Sequence, residues 1–364
     1  MIQLLDETGR RRPDETFSPL VADLGPEQLR ELYRDLVVVR RIDTEATALQ
    51  RQGQLGLWAP LLGQEAAQVG SAHALNRDDY VFPSYREHGV AYCRGADPDT
   101  FLRQWRGSAA SSYTPSDIGM AAPAIVVGAQ GLHAAGYALG MKLDGANTAT
   151  IVYFGDGATS QGDISEAFTF ASSWQVPVVF FCSNNQWAIS EPVRVQSHLP
   201  LSERATGFGI PGLRVDGNDV LAVMAATRYA LNQARTGGGP TLIEAVTYRI
   251  GPHTTSDDPS RYRDRAEVDS WLARDPIERV RKLLESEGLL DADQAEFVAA
   301  EADRVATQLR AGCLNTPEPT PDSLFDHVYA EPHPLITEQR TALRESLAAF
   351  DSSEPSTAEQ GSLS

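Results

Sequence analysis

The stretch that most constrains this chain runs from Ile151 to Ser190, IVYFGDGATSQGDISEAFTFASSWQVPVVFFCSNNQWAIS. Its two short apolar runs, Ile151 to Phe154 and Pro177 to Cys182, each end in polar residues that apolar packing does not require. Between them, within Asp163 to Trp174, Ile164, Ala167, Phe168 and Ala171 recur at helical spacing, so the unit reads as strand, helix, strand. Such a crossover is right-handed and leaves its strands parallel. The Gly155-Asp156-Gly157 turn and the Asn184-Asn185 pair then open at one sheet edge, where open α/β sheets bind ligands.

A diphosphate held through a divalent cation suits that edge. Gly155 and Gly157 let the backbone, continuing into Ala158, approach phosphate oxygens without a Cβ in the way, and the following helix offers free N–H groups. Mg²⁺ takes one or two oxygens from protein and the rest from phosphate and water. Asp156 offers a carboxylate, Asn185 an amide oxygen, and the next turn the main-chain carbonyl of Trp187. Taken singly, GDG is a tight turn and NN a helix cap; joined by a strand-helix-strand they point to a site.

GDG at 155–157 followed by NN at 184–185 is similar to the thiamin diphosphate signature, and its flanks resemble the α subunit of the E1 component of 2-oxo acid dehydrogenase complexes. The resemblance covers residues 20 to 330. It implies an α/β thiamin diphosphate-binding fold, a mostly parallel sheet flanked by helices, with a helical C-terminal region. The expected organisation is an irregular arm over residues 1–24, lying on the surface or on a partner, the α/β domain over 25–330, and a C-terminal helix with an acidic, disordered tail over 331–364.

A formal charge of −18 argues against a nucleic-acid or anionic membrane surface. It also requires local positive charge wherever a diphosphate binds. That charge appears at Tyr85-Arg86 in YVFPSYREHG, which matches the family's YRxHG segment, and the resemblance gives both residues contacts to the diphosphate. His88 is expected to be a structural hydrogen-bonder, and Glu65 of the GQEA segment to favour the helix dipole at a first turn. The three cysteines have no CxxC spacing, which suits a reducing compartment and no zinc site. With no apolar run long enough to span a membrane and no signal-peptide order in Met1 to Leu20, a bacterial cytoplasmic location is expected.

The remaining elements follow the same patterning. Pro26 to about Gln52 reads as a helix, Ala129 to Leu139 as a small-residue helix with His133 facing the core, Leu213 to Asp219 and Thr241 to Ile250 as further strands, and Val220 to Arg235 as a capped helix. Glu191 to Ser202 reads as a connecting loop. Helices follow from Val268 and over Leu289 to Arg310; Asn315 to Pro321 is a linker, Leu324 to Tyr329 a docking turn, and Ser352 onward a tail.

The polar loop Gly251 to Arg263 carries His253, whose ordinary pKa lies near neutrality and suits acid-base work. By resemblance it reaches the active centre, and HxTSDDxxxYR is closer to the branched-chain type than to the pyruvate type. Thr254 stands where animal relatives carry a regulatory phosphoserine. Three features depart from the family. Ser108 to Gly119 lacks the histidine and aromatic residues usual there and reads as mobile. Val126, Val127 and Gly128 offer no side-chain oxygens for the potassium site of some relatives. Ser183 replaces an arginine that precedes the Asn pair in the branched-chain type.

The resemblance also implies that the glutamate activating the cofactor lies in a β subunit, so an α2β2 assembly is expected. Its reaction would be decarboxylation of a 2-oxo acid, branched-chain favoured, and acyl transfer to a lipoyl group on an E2 acyltransferase. Pyruvate or acetoin as substrate, and a non-catalytic assembly or regulatory paralogue, are the alternatives.

Overall fold

The computed structural model describes residues 1–108, 110–123 and 125–353. The expected tail lies almost wholly outside the described residues, as does Ala109 of the divergent loop.

Five parallel strands form the central sheet: β1 (Tyr80–Phe82), β2 (Thr150–Gly155), β3 (Val178–Asn184), β6 (Gly212–Asp216) and β7 (Thr241–Val246), in the order β1-β2-β3-β7-β6. A short antiparallel hairpin, β4 (Trp187–Ala188) with β5 (Glu191–Pro192), follows β3. The middle strands are β-branched and aromatic because both sheet faces are covered. Alternate residues part between two cores. Ile151, Tyr153, Val179 and Phe181 face the helices Pro26–Arg51, Glu65–Ala72 and Val220–Arg235, while Val152, Phe154, Phe180 and Cys182 face Ala129–Leu143 and Gly162–Trp174. The helices Pro276–Ser286 and Ala292–Asn315 place Leu283, Leu284, Val298 and Leu309 in the first core, so the C-terminal helices before residue 316 belong to the same body. No helix among the described residues is long and apolar enough to cross a membrane.

Four expectations are corrected. The N-terminal arm does not lie on the surface: Ile2 bridges Val215 beyond the β6 edge, and Leu5 is fully buried. The reason is Asp219, whose Oδ1 caps its own helix at Leu221 N and Ala222 N while Oδ2 accepts from Leu4 N and Leu5 N at 2.6 Å each. The expected mobile loop Ser108 to Gly119 is docked over its described residues 110–119: Pro115–Ile118 is a helical turn, Ile118 is buried, and Tyr113 donates its hydroxyl to Ala121 O at 2.8 Å. His133 is exposed, because Ala134, Ala135 and Ala138 form the buried side of their helix. Leu324 and Tyr329 are 70% and 59% exposed, so the turn does not bury them against the α/β body; it meets the helix Pro334–Ser353 instead, with Arg340 on Asp326 and over the Phe325 ring. The strand Tyr80–Phe82 and the β4-β5 hairpin are elements that sequence patterning missed, being two or three residues long.

Candidate functional site

A cavity of about 450 Å³ opens at the carboxyl ends of β2 and β3, within the range usual for small-molecule sites. Tyr85, Arg86, Gly155, Asp156, Gly157, Ala158, Asn185, Trp187 and His253 all line it. So does Thr254.

Asp156 follows the last residue of β2 and is almost fully buried. Burial pushes its carboxyl up to about 6, with the Gln196 amide, donating from Nε2 at 3.1 Å, only partly opposing it. A buried carboxylate whose charge is disfavoured for want of a cation suits a metal ligand. Asn185 follows β3; its Nδ2 donates to Gln64 Oε1 at 3.0 Å and its Oδ1 accepts from Trp187 N at 3.3 Å. The Trp187 carbonyl already accepts from Arg249 Nη1 at 2.9 Å, leaving one lone pair beside a guanidinium, which makes it the weakest of the three expected ligands. Gly157 is required by close approach: a Cβ there would stand 2.7 Å from Ala188 Cβ in the hairpin.

Arg86 is buried and holds the site together from the opposite side. It donates to Pro60 O through Nη1 and to His253 O through Nη2 at 2.9 Å, with His253 Nδ1 3.3 Å from Nη2. The guanidinium also lies over the Tyr85 ring, which meets the His253 ring edge-on. The Pro60 carbonyl is held in turn by its loop, since Asp43 accepts from Trp58 Nε1 and from the main-chain N–H groups of Leu61 and Leu62. His253 receives its own anchor from Asp257, which accepts from His253 N at 2.8 Å. Burial, then Arg86 and Arg249, push the His253 imidazole down to about 4. The ring is therefore neutral at physiological pH in the ligand-free protein. His88 stacks on Trp58 at 3.9 Å and its Nε2 lies 3.2 Å from Ala59 O, a packing role as expected. Glu65 is fully buried and pairs with Arg40 at 2.9 Å, a stronger reason for its place than the helix dipole.

Arg249, Gln64 and Gln130 also line the cavity, though sequence reasoning passed over them. Arg249 spans Trp187 O and Ile189 O, and those bonds hold the hairpin in which Gln186 (φ 73°) and Ile189 (φ 56°) occupy the left-handed region. A β-branched residue there is strained, and such strain persists where the surroundings fix it. Burial lowers the Arg249 pKa to about 10, with Arg86 adding to the effect. No local sequence pattern marks Arg249 or Gln130, and Gln64 lies in the GQEA segment, where only Glu65 drew a reading; their meeting in one cavity is a product of the crossovers.

Gln64 Nε2, Gln130 Oε1, Ser183 Oγ and Arg249 Nε are buried around this cavity without a hydrogen-bond partner among the described residues. Buried polar groups are ordinarily satisfied, so such a cluster points to a polar ligand. With Arg86, Arg249 and the Asp156 carboxylate lining one cavity, the site fits an anion that reaches the protein partly through a cation. The model for the dehydrogenase E1 component matches residues 33–321.

The chain belongs to the dehydrogenase E1 component family. It is 47% identical over 330 residues to the 3-methyl-2-oxobutanoate dehydrogenase subunit alpha of Mycobacterium tuberculosis, covering 90% of each chain. It is 40% identical over 349 residues to the pyruvate dehydrogenase E1 component subunit alpha of Staphylococcus aureus, covering 95% of this chain and 93% of that one. The Staphylococcus epidermidis protein of the same name matches over 351 residues at 40% identity. The parallel sheet with helices on both faces is the α/β fold expected of this E1 family.

Proposed function

We propose that this chain is the α subunit of a thiamin diphosphate- and Mg²⁺-dependent 2-oxo acid dehydrogenase, with 3-methyl-2-oxobutanoate and its branched-chain relatives as preferred substrates. It works with an E1 β subunit as an α2β2 assembly in a bacterial cytoplasm and passes the acyl group to the lipoyl group of an E2 acyltransferase. The observation that carries the reading is the convergence on one cavity of the buried Asp156 carboxylate with Asn185, Arg86, Arg249 and His253. The higher identity to the M. tuberculosis branched-chain subunit than to the pyruvate subunits favours the substrate class.

Bound thiamin diphosphate supplies the electron sink for loss of the substrate's carboxyl group. The chain's own residues do the positioning. Asp156 and Asn185 would hold Mg²⁺ through oxygen, and the N–H groups of Gly157 and Ala158 would be donors for the phosphates. Arg86 and Arg249 offset the diphosphate charge in a wall where water is largely excluded. His253, held by Arg86 and Asp257 at the wall of the cavity, would be the residue to hold or move a proton there, its pKa raised by a bound diphosphate. Leu57, Ile125 and Val127 give the rim of the cavity an apolar surface suited to an aliphatic side chain.

The test is co-expression with the β subunit followed by decarboxylation assays on 3-methyl-2-oxobutanoate and pyruvate, with and without Mg²⁺ and thiamin diphosphate. Turnover of the branched-chain acid, lost in Asp156→Ala and His253→Ala, is expected. Preference for pyruvate would move the chain to the pyruvate type. A complex that binds cofactor yet turns over neither acid would make it a regulatory paralogue.

A further inference from the structure

Away from the cavity, three helical segments bring an aspartate, a histidine and a cysteine together. Asp35 projects from Pro26–Arg51, His73 follows the last residue of Glu65–Ala72, and Cys93 ends His88–Cys93. One potential ligand atom from each lies within 4.8 Å of the others. We propose that these three residues form a second metal site, for a borderline-soft divalent cation such as Zn²⁺.

The ligand chemistry favours that class. Carboxylate, imidazole and thiolate are the donors zinc takes, at about 2.0–2.3 Å, which sets neighbouring donors roughly 3–4 Å apart in a tetrahedral shell. His73 Nε2 and Asp35 Oδ2 stand 2.7 Å apart and share a proton. Binding the cation at Nε2 leaves the imidazole proton on Nδ1, releases the Cys93 thiol proton to buffer and separates the two donors by about 1 Å. A thiolate ligand discriminates against Mg²⁺, which demands oxygen donors, so the cation of the main site does not compete here.

The surroundings are prepared for it. Arg34 donates to Asp35 Oδ1 from Nε at 3.0 Å and from Nη2 at 2.8 Å, which leaves Oδ2 aimed at His73. Outer partners that orient a ligating carboxylate in this way are a regular part of metal sites. Arg34 Nη2 also reaches Glu31 at 3.3 Å. With Cys93 as thiolate, the divalent ion and Arg34 together balance Asp35, Glu31 and the sulfur. The Asp35 side chain is 5% exposed and that of His73 21%, so a cation has a path from solvent and a water can complete the shell. None of the three ligands lines the main cavity.

The experiment adds one equivalent of Co²⁺ per chain to the assembled complex, saturated beforehand with Mg²⁺ and thiamin diphosphate. The expected result is a tetrahedral cobalt spectrum with a thiolate-to-metal charge-transfer band, displaced by Zn²⁺ and absent in Cys93→Ser. Zinc affinity should fall at least about tenfold in Cys93→Ser and in His73→Asn. Should Cys93→Ser fail to assemble, His73→Asn, at a part-exposed position, gives the same reading. Absence of the charge-transfer band from the wild-type complex, or wild-type zinc affinity in an assembled variant, would overturn the site. The readout is independent of the 2-oxo acid reaction.

Discussion

Asn185 Nδ2 donates to Gln64 Oε1 at 3.0 Å, and this bond, with the Trp187 N–H that Oδ1 accepts at 3.3 Å, sets which way the Asn185 amide faces. Both side chains are buried, so the alternative Asn185 orientation would oppose two acceptor oxygens, Asn185 Oδ1 and Gln64 Oε1. Gln64 thereby keeps the Asn185 oxygen available on the side where Asp156 lies.

Gln64→Leu should therefore weaken Mg²⁺ binding without touching the metal, by about 10-fold or more, as loss of an outer partner does. Gln64→Glu, which can still accept from Nδ2, should retain most of the affinity. Mg²⁺-dependent quenching of Trp187 fluorescence measures both; equal loss in the two variants would refute an orienting role.

Asp156 carries a pKa of about 6 because burial penalises its charge. A carboxyl raised in the folded state contributes stability that is present below its unfolded pKa of 3.8 and is lost as pH rises through about 6. The metal-free protein at pH 7 should thus gain on the order of 1–3 kcal/mol from Asp156→Asn while losing Mg²⁺-dependent cofactor binding. Thermal unfolding with and without Mg²⁺ checks it: the variant melts higher in EDTA and does not respond to Mg²⁺. In the wild type, Mg²⁺ affinity should fall as pH drops below about 6.

His253 is held to about 4 by burial and by the two guanidinium groups. Removing one of them in Arg86→Ala should move the imidazole pKa upward toward its ordinary value near 6.5. Histidine-selective NMR titration of the cofactor-free complex reads the change directly. An unchanged or lower value would show that Arg86 does not act on the ring.

Asp43 fastens Trp58, Leu61 and Leu62, and so the loop whose Pro60 carbonyl Arg86 grips. Asp43→Ala leaves three donors unpaired and should cost about 2–4 kcal/mol of stability. It should also weaken cofactor binding, a link that calorimetric titration would expose as a lower affinity in protein that remains folded.

What the sequence discloses here depends on range. The strands β2 and β3 and the helix between them are legible because their pattern is local and unbroken, from Ile151 through Asn185. The candidate residues are legible for the same reason, each sitting in a short motif. Arg249 and Gln130 are not, because nothing near them in the chain indicates that they line the same cavity as Asp156, and in GQEA the neighbouring Glu65 draws attention away from Gln64. The N-terminal arm misleads in a similar way: Leu4 and Leu5 are too few to announce a strand, and the carboxylate that buries them lies at Asp219. His133 shows the reverse limit, since a helix of small residues has no apolar stripe strong enough to fix which side is in.

The hold of Asp219 on Leu4 and Leu5 also orders events in time. Leu4 and Leu5 have no docking place until Asp216 and Asp219 have been made, more than 200 residues later in the chain, and none complete until Arg279 follows, whose Nη1 donates to Leu5 O at 3.0 Å. The segment around Leu4 and Leu5 must wait unpaired while those residues are made, which raises the contact order of the fold and leaves the two leucines uncovered meanwhile. Its seating is a late step that joins the two ends of the domain, and a bulky fusion ahead of Met1 would delay that step rather than any event at the cavity.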